Sequence, residues 1–67
     1  MTLEEVQAAV QRIRKFAEEK DGPGAHIHQD SLFENVLLAI AAGAANPKEL
    51  AAAAVVVADL DFDRWYE

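Results

Sequence analysis

The 67 residues include no cysteine, one serine, two prolines, three glycines and five aromatic side chains. Without cysteine the chain cannot be a disulfide-stapled secreted mini-protein. Nor does it have a thiol nucleophile or a thiolate for a zinc site. Basic residues are scarce as well: six Lys/Arg stand against twelve Asp/Glu, a formal charge of −6. Sequence-independent binding to nucleic acid releases counterions through clustered Lys/Arg, so direct binding to nucleic acid is not expected. An anionic membrane surface is disfavoured for the same reason. The longest apolar run, residues 36–45, ends at Asn46-Pro47. It is about half of the roughly 20 residues that cross a bilayer. Met1-Thr2-Leu3-Glu4-Glu5 has neither a basic nor an apolar region of a signal peptide, so the expected location is cytoplasmic.

What is present is a single helical domain over residues 1–67. A chain of this mass buries about 60% of its unfolded surface, a small core that benefits from regular packing or from a partner chain. Thr2-Leu3-Glu4-Glu5 has capping-box spacing. Leu3, Val6, Val10, Ile13 and Ala17 then recur every three or four residues, with Ala9 and Phe16 beside them. This predicts an amphipathic helix over about residues 3–20.

Asp21-Gly22-Pro23-Gly24 reads as a stop, with Gly22 in the left-handed position and Pro23 forbidding continuation. Residues 25–29 follow as a loop. Ser31-Leu32-Phe33-Glu34 is a second capping-box pattern, with Asp30 as an alternative cap, and predicts a helix over about residues 31–43 ending at Gly43. Asn46-Pro47-Lys48-Glu49 starts a third, over about residues 47–58: Asn46 caps, Pro47 takes the first turn and Glu49 the third position. A short helical turn at about residues 61–66 closes an all-α bundle of three helices.

The second and third helices are apolar nearly all round, and a chain this short cannot enclose both. Some of Ala39, Ala42, Ala53, Val56 and Val57 is left for a partner. The simplest arrangement is a homo-oligomer, a two-fold dimer first. The plainer alternative is that alanine is tolerated on an exposed helix surface.

His26-x-His28-x-Asp30 is the most suggestive polar string. In an extended loop alternate residues point the same way, so two imidazoles and a carboxylate could face one metal ion. The simpler reading, and the favoured one, is that His26 and Asp30 organise the start of the second helix, so no metal and no cofactor is expected. Asp59, Asp61 and Asp63 alternate without the glycine and glutamate of a calcium loop. Gly22-Pro23-Gly24 lacks the Lys-Ser/Thr of a phosphate loop, and Ser31, the lone serine, is read as a cap. Nothing in the chain assembles a catalytic set, so an enzyme is not expected. A helix-turn-helix reading fails because the third helix offers only Lys48 and Glu49 before a run of Leu, Ala and Val. Phe62, Trp65 and Tyr66 hold three of the five aromatic rings. They read either as a plug for the end of the core or as a hot spot for a partner protein.

Several of these residues stand in one pattern: His26, Asp30, Leu32, Val36-Leu37-x-x-Ile40-Ala41-x-Gly43, Pro47-x-x-Leu50-Ala51 and Leu60-Asp61-Phe62-x-Arg64-Trp65. Over residues 25–66 this resembles a family of short proteins, without an established activity, found in actinobacteria and their bacteriophages. That pattern often has Glu before the position of Asp30, where this chain has Gln29. The resemblance implies a shared fold, a phage or prophage setting, and a linked arrangement of His26, Asp30, Asp61, Arg64 and Trp65.

The expected function is therefore that of a small interaction protein, self-associating and binding a host or phage protein, with Val56, Val57, Trp65 and Tyr66 as contact residues. Two alternatives stand beside it. One is an acidic mimic that blocks a DNA-binding partner by charge. The other is a metal-binding protein using His26, His28 and Asp30.

Overall fold

The computed structural model describes residues 1–60, which form three α-helices and a 3₁₀ turn. They are α1 (Leu3–Glu18), α2 (Gly22–Ala41) and α3 (Pro47–Val55), with the 3₁₀ turn at Val56–Asp59. This is the small all-α bundle that the hydrophobic spacing predicts. The expected closing turn at residues 61–66, with Asp61, Phe62, Arg64, Trp65 and Tyr66, lies outside the described residues.

At the start of α1 the Thr2 hydroxyl accepts from the Glu5 N–H at 3.1 Å, and the Glu5 carboxylate accepts from the Thr2 N–H at 2.7 Å. Both partners of the capping box are engaged. Val6, Val10 and Ile13 form the buried stripe, with Leu3, Ala9 and Phe16 packed against it. α1 ends with Lys20 at φ 62°. There the Lys20 N–H donates to the Ala17 carbonyl at 3.1 Å and the Asp21 N–H to the Phe16 carbonyl at 2.9 Å. This is a Schellman closure built on lysine rather than glycine.

The principal correction to the sequence reading is the start of α2. Gly22-Pro23-Gly24 does not break the chain into a loop; it forms the first helical turn. The Asp21 carboxylate accepts from the Gly24 N–H at 3.0 Å and caps the helix. Proline is harmless there because the first N–H groups of a helix have no partner within it. The left-handed residue is Lys20 rather than Gly22, and Ser31 and Asp30 are helix-interior positions rather than caps. Gly43 does end α2 as expected. At φ 94° its N–H donates to the Ile40 carbonyl, and the Ala44 N–H reaches the Ala39 carbonyl.

The three-residue link and the extensive packing of α1 on α2 make them an antiparallel pair, and α3 packs across both. The core comprises Val6, Val10 and Ile13 of α1, Ala25, Leu32 and Val36 of α2, Leu50 and Ala54 of α3, and Val57. Asn46 stands at the cap position of α3, but its side chain makes no capping hydrogen bond. At the valine run the α-helix tightens into the 3₁₀ turn, where branched side chains crowd the preceding turn.

Candidate functional site

Starting α2 at Gly22 places the His26-x-His28-x-Asp30 string on a helix, where the extended-loop expectation no longer applies. Residues two apart on a helix point about 200° from each other. His28 therefore faces away from His26, whereas His26 and Asp30, four apart, share a face. His26 Nε2 stands 3.4 Å from Asp30 Oδ2. The two thus face each other inside α2 rather than organising its start, which Asp21 caps, and the three-ligand arrangement is not formed. Among the described residues no group of three His, Cys, Asp or Glu side chains gathers.

His28 turns toward α1. Its Nδ1–H donates to the Gly24 carbonyl at 2.9 Å, and its ring lies against Phe16 with centroids 4.7 Å apart. A carbonyl oxygen only accepts, so this contact sets the tautomer and leaves Nε2 as the remaining polar atom of the ring. Beside it, between α1 and α2, runs a groove of about 330 Å³ with an apolar floor and a polar rim.

A second groove, of about 230 Å³, lies between α2 and α3 and is lined by Phe33, Val36, Leu37, Ile40, Ala51 and Ala54. None of these lining residues is charged. Outside it on α2 stands Leu38, exposed at 60%, while Leu37 on its rim is exposed at 66%. This is where the apolar excess of α2 and α3 comes to the surface.

The expected contact residues separate here. Val56 is exposed, but Val57 is fully buried in the core and is not available to a partner. The 3₁₀ turn rotates successive residues by about a third of a turn, so neighbouring valines point in different directions. Ala39 and Ala53 are half-buried against the core, and Ala42 is exposed. Trp65, Tyr66, Asp61 and Arg64 lie outside the described residues.

Sequence reasoning missed Leu37 and Leu38 as surface residues and Gln29 as a buried one. Residues 25, 29, 32 and 36 form a regular stripe once the helix begins at Gly22. Placing residues 25–29 in a loop concealed it.

No described helix is long and apolar enough to cross a membrane. Compared with known proteins, the chain matches no family model, no curated protein and no solved structure.

Proposed function

We propose that this chain works by association rather than catalysis, and that the α2/α3 groove receives a second copy of the same chain. The carrying observation is the exposure of Leu37 and Leu38 beside an apolar groove in a strongly acidic protein. Two copies carrying −6 each repel wherever their charges meet. From Asn35 to Pro47 there is no ionisable side chain, so charge is sparse on this face, with Glu34, Lys48 and Glu49 flanking that stretch. Removing a leucine side chain from water contributes about 1.5–3 kcal/mol. A two-fold contact counts every such gain twice.

The resemblance to short proteins of actinobacteria and their phages supports an accessory role in a bacterial cytoplasm, with a host or phage protein as a further partner. Light scattering over a wide concentration range tests the central point. The wild-type chain is expected to approach twice the monomer mass, and Leu37→Glu, an exposed position, to remain a folded monomer. A wild-type chain that stays a folded monomer throughout would sink the proposal.

A further inference from the structure

The α1/α2 groove, on the opposite flank of α2, has a different chemistry. On α2 it is lined by His28, Ser31 and Asn35, spaced three and four apart, and on α1 by Glu5, Ala8 and Arg12. These spacings put each set on one helix face. Ala9 and Leu32 supply more of its apolar floor.

The groove carries a guanidinium at one end. Phe16 meets His28, so Arg12, one turn earlier on α1, shares an end with His28 and Ser31. Glu5 and Met1 stand at the other end, with Glu5 about 10 Å back along the α1 axis from Arg12. Glu5 is held by its capping bonds to Thr2. Arg12 makes no hydrogen bond or ion pair among the described residues, so its guanidinium is free to receive an anion. A planar guanidinium accommodates both oxygens of a carboxylate, and the Ser31 hydroxyl adds a donor at the same end.

We infer that this groove is a binding site for a small aromatic carboxylic acid. The carboxylate lies against Arg12 and Ser31, and the ring rests on Ala8, Ala9 and Leu32. The volume of about 330 Å³ falls within the range of small-molecule sites, whose walls are mainly apolar with a few polar groups that fix orientation. This inference does not depend on self-association, because the groove uses none of the residues of the α2/α3 face.

Amide and side-chain shifts in a ¹⁵N-correlated NMR titration test it, with benzoate, benzyl alcohol and benzylamine as probes. Benzoate should give saturable shifts at Ala8, Ala9, Arg12 and Ser31, and should bind about ten-fold more tightly than benzyl alcohol, a ratio typical of a charged hydrogen bond. Benzylamine should bind no better than the alcohol. Arg12→Gln should abolish the preference for benzoate, whereas Arg14→Gln, on another face of α1, should leave it intact. Equal binding of the acid and the alcohol, no saturable shift, or a preference that survives Arg12→Gln would each overturn the assignment. The spectrum of the variant reports its fold in the same experiment.

Discussion

Between α1 and α2 the apolar side chains form one stripe on each helix and meet in the core. The C-terminal half of α2 and the whole of α3 carry apolar side chains on most sides. α1 therefore turns Val6, Val10 and Ile13 inward and leaves its polar face to water. α2 turns Leu32 and Val36 inward and still leaves Leu37 and Leu38 outside. Chain termination differs too: α1 and α2 both close with Schellman hydrogen bonds, on Lys20 and Gly43 respectively, whereas α3 starts without a side-chain cap and tightens into a 3₁₀ turn. The contrast shows that apolar content alone does not set burial. The first pair specifies its own packing, and the second presents more apolar surface than one short chain covers.

The sharpest way to break this contrast is to truncate one residue from each side of it. Ile13→Ala, at a fully buried position, should cost about 2–5 kcal/mol in a denaturant melt, enough to unfold much of a domain this size. Leu38→Ala should change monomer stability by less than about 0.5 kcal/mol. Comparable losses at the two sites would show that Leu38 is packed after all.

The terminations come next. Asp21→Ala removes the α2 cap and should cost about 1 kcal/mol, read as a lower melting midpoint. Lys20→Gly relieves the left-handed strain and should gain about 1 kcal/mol. Gly43→Ala should lose about as much by imposing that strain, because a Cβ at Gly43 meets nothing within 4 Å and only the backbone resists. The same sign for the Lys20 and Gly43 changes would contradict the two Schellman closures.

The smallest expected effect concerns Glu5, which is fully exposed. Its carboxyl is held below the ordinary value of 4.5, first by the Thr2 backbone N–H and then by the Thr2 hydroxyl. In the acid range the unfolded chain therefore binds more protons than the folded one at this site, and stability rises with pH there. The contribution is complete above 4.5 and fades as the pH falls through the lowered folded value. Comparing melts of wild type and Glu5→Gln across that range should show a small pH-dependent increment only in the wild type.

The sequence reading was most informative where one periodic pattern met one unambiguous cap. Thr2 and Glu5 marked the start of α1, Pro47 the start of α3, and Gly43 the end of α2, each at a position that local chemistry favours. It misread Asp21-Gly22-Pro23-Gly24 because these residues suit both the end of one helix and the first turn of the next. Choosing between them required the Asp21 carboxylate on the Gly24 N–H and the left-handed turn at Lys20. That single choice also moved His26, His28 and Asp30 from a loop onto a helix, pairing two of them and sending the third toward Phe16.

By itself, then, the sequence determined an all-α chain, the amphipathic stripe of α1, the acidic surface and an apolar surplus in the second half. These follow from side-chain type and spacing, which act within a few residues. The tertiary structure alone decided which apolar residues form that surplus, with Val57 inside and Leu37 and Leu38 outside. It also decided which polar groups face one another across α1 and α2. Those outcomes depend on how each helix is rotated against its neighbours, a relation between residues far apart along the chain.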